Sequence, residues 1–199
     1  MSTLVLGTAN RNKVRELAIL LAPTRFRLLS LADFSDVVDV PEGEHSLAEN
    51  ARRKAALQAA RLGQWVLGDD TGLEVDALSG APGVLSSRYA GLNAGAAANR
   101  RRLLDQLANV PFDCRTARFV CRLALADPSG QVRAEAEGHC CGRILFEPAG
   151  DLSFGYDSLF EIVEYHRTLA QLGSAAQFRL THRARAVERI LPDAVRLIG

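Results

Sequence analysis

TLVLGTANRNKVRELAILLAP, Thr3 to Pro23, decides the fold. Thr3–Thr8 is an apolar run of strand length, the pattern of a central strand buried on both faces. It breaks at Ala9-Asn10-Arg11-Asn12. Val14, Leu17, Leu20 and Leu21 then recur at helical spacing, and Pro23 ends the run. Strand, tight polar loop and helix form the opening unit of an α/β protein. Such a loop brings backbone N–H groups and a helix N-terminus to one spot, which attracts phosphate. Lys13 stands at the helix start, where a cation opposes the helix dipole unless an anion lies between them. The competing reading is a plain surface loop, because the phosphate-loop pattern GxxxxGK[ST] is absent.

Working outward, Arg27–Leu31 reads as a second strand. Ser46-Leu47-Ala48-Glu49 spells S-x-x-E, a capping box. An alanine-rich helix follows from Leu47 to Leu62, closed by Gly63. Trp65–Gly68 is a buried strand that reaches Asp69-Asp70-Thr71-Gly72, read as a break. Leu73–Leu78 is then a second short strand, and Ser79–Gly83 a turn cluster. Ala94–Ala108 is a helix with an arginine-rich middle. Arg115–Ala126 alternates as a half-buried strand, with Ala117, Phe119, Cys121, Leu123 and Leu125 on one face. It is expected to pair with Gln131–Gly138 across a turn at Asp127–Gly130. Gly142–Asp151 reads as loop, Leu159–Val163 as a short strand, and Thr181–Ile198 as a helix that Pro192 kinks or interrupts.

The totals exclude several classes. The chain has 199 residues, enough for one sizeable core or two lobes around a cleft. Its net charge of +1 gives no global field for nucleic acid or membrane. No apolar run approaches the ~20 residues that span a bilayer. The N-terminus reads as a first strand rather than a signal peptide. Cys114, Cys121, Cys140 and Cys141 lack CxxC spacing, which fits reduced cytoplasmic thiols. Lys13 and Lys54 are the only lysines among 24 basic residues. Lysine is a compact point charge where arginine is a wide fork. Either the bias is chance, or both lysines point into a tight anionic site.

Asp69-Asp70 raises the chemical question. Adjacent carboxylates repel, and ordering them beside a core is unfavourable. Either a turn cap is formed, or the pair serves a magnesium ion and a reaction that needs a base. Glu42, in a glycine-containing loop, and Lys54, two turns into the next helix, fit the same picture or a solvated ion-paired face. Ser153–Asp157, SFGYD, offers aromatics that can stack on a base. His182 and Arg183 offer donors at the start of the last helix. Each of these alone also reads as a packed loop or a cap.

Taken in order, TANRNKVREL, PEGEHSLAENARRKA, DDTGLEVDALSGAPGVLSSRYAG, FGYDSLF and THRARA resemble the inosine triphosphatase family, in particular its bacterial non-canonical purine nucleoside triphosphate pyrophosphatases. The resemblance covers nearly the whole chain as one domain, 1–199. It implies an α/β fold with a long mixed β-sheet, flanking helices and two lobes around a central active-site cleft. It implies Mg2+-dependent hydrolysis of XTP, ITP and dITP to the monophosphate and pyrophosphate, in a cytoplasmic homodimer that binds neither nucleic acid nor membrane. By resemblance, Asp70 is the general base and, with Glu42 and Asp69, forms the metal site. Thr8, Asn10, Lys13, Lys54, Ser86 and Arg88 bind the phosphates. Phe154, Gly155, Tyr156, Asp157, Gln177, His182 and Arg183 recognise the base.

Three positions depart from the family pattern. Ala9 replaces a glycine in the first loop, Gln171 stands at the usual glutamate, and Gln177 at the usual lysine. The altered 171–177 segment keeps a second reading open, a house-cleaning pyrophosphatase with a different base preference. A third reading is a nucleotide-binding protein without turnover; the water-activating acid argues against it.

Overall fold

The computed structural model describes residues 2–43, 46–150 and 155–199, with side chains described for all of these except 174–177. The opening reading holds in detail. Strand β1 (Thr3–Gly7) leads into helix α1 (Arg11–Leu21), which returns to strand β2 (Arg27–Ser30). β1 and β2 pair in parallel, Leu4 opposite Leu28. Helix α2 (Leu47–Leu62) begins where the Ser46 side chain accepts from the Glu49 amide, and ends on Gly63 at φ 61°. This left-handed conformation carries no steric penalty at glycine. Strand β3 (Trp65–Val75) then pairs in parallel on the other side of β1, with Gly7 opposite Gly68.

The chain does not turn at Asp69-Asp70. β3 is one strand of 11 residues that runs through the acidic pair and Thr71-Gly72. The two strands expected at Trp65–Gly68 and Leu73–Leu78 are therefore one. Charge neutralisation is the physical reason: each aspartate meets a lysine, so the backbone can stay extended. Strand β4 (Pro82–Gly83) folds back antiparallel on the end of β3, Leu73 opposite Gly83.

Helix α3 (Ala96–Gln106) precedes the expected hairpin of β5 (Thr116–Ala126) and β6 (Val132–Ile144). β6 continues past Gly138 and Gly142, where the sequence reads as loop. Both glycines mark close approach rather than a break. A Cβ at Gly138 would lie 2.0 Å from the His182 carbonyl oxygen, and one at Gly142 would lie 2.3 Å from that of Glu161. The extra length of β6 pairs antiparallel with β7 (Phe160–Ile162), and β7 pairs antiparallel with β8 (Arg167–Thr168). Helix α4 (Leu169–Leu180), in a stretch without a clear sequence signal, is divided at Gly173. Helix α5 (His182–Ile198) runs through Pro192 without interruption. The strand order is β2-β1-β3-β5-β6-β7-β8, with β4 beside β3.

The chain forms two compact units, each discontinuous in sequence: Met1–Asp70, Cys121–Gly138 and His182–Gly199; and Thr71–Val120 with His139–Thr181. In the first, alternate residues of the strands feed two cores. Leu4, Leu6, Cys121, Leu123 and Leu125 join Leu17, Leu21, Val187 and Ile190. Val5, Val66, Ala124 and Ala126 face Ala51, Ala55 and Ala59 of α2. This is the period-two alternation of strands covered on both faces. The second unit has its own core, around Leu73, Leu103, Phe119, Tyr156 and Phe160.

Candidate active site

The first unit gathers its polar groups where the parallel strands β1 and β3 end. Gly7 and Gly68 lie opposite each other, and a Cβ on Gly7 would meet Val66 Cγ1 at 2.7 Å. After β1, the Thr8 hydroxyl oxygen accepts from the Asn10 amide at 3.2 Å. Asn10 Oδ1 in turn accepts from the amides of Asn12 and Lys13, capping α1. Thr8 and Asn10 thus shape the loop, and Lys13 rises from the first turn of the helix.

Lys13 Nζ lies 2.5 Å from Asp69 Oδ1. The other oxygen of Asp69 accepts from Arg183 Nε at 2.7 Å and lies 3.5 Å from Cys121 Sγ. Arg183 also pairs with Glu16 of α1. Asp69 is 0% exposed. Burial by itself pushes its carboxyl upward, but Arg183 and Lys13 outweigh that and hold it well below the usual carboxylate range. Burial likewise works against the Arg183 charge, and Asp69 and Glu16 keep it firmly cationic.

Asp70, one residue on, points to the opposite face of the strand. Its Oδ1 accepts from Lys54 Nζ at 2.8 Å, and its Oδ2 from Asn50 Nδ2 at 3.1 Å. Lys54 also donates to Glu42 at 2.6 Å. Burial raises the Asp70 carboxyl above its ordinary pKa despite the attraction of Lys54 and Lys13. Lys54 is raised too: burial opposes its charge, and Asp70 and Glu42 more than restore it. Asn50 is a residue whose importance the sequence reading missed. It is buried, its Oδ1 accepts from the Gly43 amide at 2.8 Å, and its Nδ2 also donates to the Gly43 carbonyl at 3.1 Å. It therefore fixes the loop that carries Glu42 to the same helix that carries Lys54. The signal was present, since Asn50 and Lys54 are i, i+4 neighbours. Glu16, three residues beyond Lys13, was likewise overlooked.

Both lysines of the chain thus end on the adjacent carboxylates Asp69 and Asp70. His182 is buried, its carbonyl packed over Gly138. In the second unit the Ser86 hydroxyl donates to the Gly83 carbonyl at 2.5 Å and accepts from the Leu73 amide at 2.8 Å, so it ties the β3–β4 turn together. Arg88 closes the 3-10 turn Ser86–Arg88. Tyr156 is buried in the core and donates its hydroxyl to the Ser86 carbonyl at 2.9 Å, with its phenol raised by burial. Gly155 takes φ 54°, and the Asp157 carbonyl accepts from Ala170. Phe154 and the side chain of Gln177 lie outside the described residues. Gln171 acts locally. Its Oε1 accepts from the Thr168 amide at 2.9 Å, while the Thr168 hydroxyl accepts from the Gln171 amide at 3.2 Å. That is a capping box in which glutamine replaces glutamate.

Among the described residues, no group of three or more His, Cys, Asp or Glu side chains converges as a preformed metal cage. Magnesium does not require one, because it keeps water and phosphate oxygens among its ligands and takes one or two carboxylates. Glu42 and Asp70, hard oxygen donors that meet at one Lys54 ammonium, fit that demand. Asp69 is a poorer fit, since each of its oxygens already holds a cation.

Known proteins resemble the chain along its whole length. A protein from Rhodopirellula baltica named dITP/XTP pyrophosphatase is 45% identical over 198 residues, covering 100% of this chain and 95% of its own. One of the same name from Desulforamulus reducens is 44% identical and covers 98% and 96%. The structure of a HAM1 protein from Coxiella burnetii superimposes with a TM-score of 0.89 at 34% identity, covering 98% of this chain and 100% of that one. With residues 4–193 also matching the sequence pattern of the Ham1 family, the chain belongs to that family.

Proposed function

We propose that the chain is a magnesium-dependent pyrophosphatase of non-canonical purine nucleoside triphosphates, XTP, ITP and dITP, working as a homodimer in the cytoplasm. One observation carries the reading: Lys13 and Lys54 converge on adjacent buried aspartates. Two lysines beside a base of raised pKa suit a triphosphate and an attacking water. Relatives named dITP/XTP pyrophosphatase support the substrate class.

Glu42 and Asp70 would hold the metal. When bound, magnesium supplies charge neutralisation for the phosphate oxygens. Asp70 orients a water for in-line attack on the α-phosphorus and accepts its proton, a role helped by its raised pKa. Lys13 and Lys54 offset the charge that develops on the leaving pyrophosphate. Asp69 is assigned here to holding Lys13 and Arg183 rather than to the metal. Thr8 and Asn10 shape the loop that receives phosphate at the start of α1, and Ser86 and Arg88 serve the phosphates from their own turn. Phe154, Gly155, Tyr156, Asp157, Gln177 and His182 receive the base. Arg183, locked by two carboxylates, presents donors to a 6-keto oxygen. A 6-amino purine would set donor against donor, so ATP is rejected.

The test is pyrophosphate release from ITP, XTP, dITP, ATP and GTP with magnesium, for wild type and Asp70→Asn. We expect fast turnover of the first three, little of ATP, and a loss of about a thousandfold or more in the variant. Binding without turnover, or a variant as active as wild type, would overturn the assignment.

A further inference from the structure

The base-recognition loop is held by a residue outside every motif that points to the family. Arg100 Nη1 donates to the Gly155 carbonyl at 2.8 Å. Gly155 needs holding. It sits at φ 54°, nothing lies within 4 Å of where its Cβ would be, and glycine loses the most backbone freedom on ordering. On its far side the chain is already fixed, because Tyr156 is buried and tied to Ser86. The Gly155 carbonyl belongs to the peptide that joins these two residues. Its direction is tied to ψ of Gly155, and so to how Gly155 joins the fixed Tyr156.

Arg100 springs from a rigid base. Its neighbour Asn99 is 4% exposed and bolts α3 to the turn that contains Arg88. Asn99 Oδ1 accepts from the Ala90 amide at 2.7 Å, and Nδ2 donates to the Ser87 carbonyl at 3.0 Å. One turn further along the same face of α3, Leu103 is anchored in the core. An arginine on such a helix can locate a backbone carbonyl closely, which is what a positioning residue requires.

We propose that Arg100 is a positioning residue for base recognition, fixing the Gly155–Asp157 loop against α3 through the Gly155 carbonyl. The proposal rests on the function assigned above. Its action is on affinity for the base, through the loop, and not on the chemical step.

The experiment compares wild type, Arg100→Met and Arg100→Lys. Methionine keeps an unbranched stem without the donor, and lysine restores one. Loss of a charge-assisted hydrogen bond predicts that KM for ITP rises about tenfold in Arg100→Met with kcat within about twofold. Arg100→Lys should recover much of the difference. Inhibition by inorganic tripolyphosphate, which has no base, should stay at the wild-type value. Amide hydrogen exchange at residues 155–159 should speed up in Arg100→Met while that of α3 does not. An unchanged KM, tripolyphosphate inhibition that weakens in step with KM, or exchange unchanged at 155–159 would each overturn the proposal. If wild type itself turns over no nucleoside triphosphate, the assigned function fails, and the role of Arg100 as a substrate-positioning residue fails with it; exchange then still reports whether the loop is held.

Discussion

At the scale of single residues, Asp69 and Asp70 show how neighbours in one strand acquire opposite chemistry. Side chains alternate across a strand, so Asp69 meets Lys13 and Arg183 while Asp70 meets Lys54 and Asn50. Asp69 is held below the usual carboxylate range and Asp70 above it. Carboxylates driven apart in this way commonly divide structural and acid–base roles. The linkage sign follows for each. A depressed carboxyl stabilises the fold above its unfolded pKa of about 3.9, and that stability drains away as pH falls below it. Urea unfolding of wild type from pH 7 to pH 3 should therefore show a falling acid limb. Asp69→Asn should be weaker by about 3–5 kcal/mol at pH 7, because buried cations lose a partner, and its acid limb should be shallower. Equal slopes would refute a charged, stabilising Asp69. A raised carboxyl has the opposite sign: its contribution is greatest below the unfolded pKa and is lost as pH rises through the folded value. Asp70→Asn should therefore lose turnover, and its stability should no longer decline as pH rises through the folded pKa of Asp70, whatever the separate cost of leaving Lys54 without that carboxylate. Urea unfolding of both proteins across that pH range decides it, and an equal decline in the two would count against the raised pKa.

At the scale of elements, α2 and β3 are brought together by a missing side chain. A Cβ at Gly68 would lie 2.3 Å from the Ala51 carbonyl oxygen and 2.8 Å from the Ala55 amide nitrogen, both backbone atoms of α2. Gly68→Ala must push the helix outward, and α2 carries Asn50 and Lys54. We expect a loss of about 1–3 kcal/mol from overpacking, together with a fall in turnover of about tenfold or more as Lys54 leaves Asp70. Gly63→Ala at the end of the same helix meets no neighbour and only the left-handed strain of φ 61°, so it should cost about 1 kcal/mol and leave turnover unchanged. Thermal midpoints and initial rates of the two variants separate these outcomes. The same glycines explain what was legible in the sequence. α1, α2 and α5 were readable because apolar periodicity and caps are local. β6 beyond Gly138 was not, because a glycine that admits His182 or Glu161 looks like a glycine that turns the chain. The break expected at Asp69-Asp70 failed for a related reason: the cations that let β3 continue arrive from residues 13, 54 and 183, distances in sequence that no local pattern spans. Within the site, Lys13, Glu42, Lys54 and Asp70 were visible as charged motifs; Asn50 was marked only by its i, i+4 spacing to Lys54, and Arg100, which acts through a backbone carbonyl, carries no signature of its own.

At the scale of the whole molecule, neither compact unit is a continuous piece of chain. The first is built from three segments and the second from two. β3 passes from one to the other at Asp70, β5 at Val120 and β6 at Gly138. The sequence reading of one domain, 1–199, leads us to propose a single cooperative unfolding transition. Two buried thiols make this measurable without a new label: Cys121 in the first unit is 0% exposed and Cys140 in the second is 2% exposed. Pulse labelling across a urea series, read by peptide mass, should give the same midpoint for both, because each thiol reacts only when its strand is released. Arg100→Met should leave that coincidence intact, since its effect is confined to one loop, while Gly68→Ala should lower both midpoints together. A Cys140 midpoint well below that of Cys121 would mean that the second unit opens by itself, and the single-domain assignment would then fail.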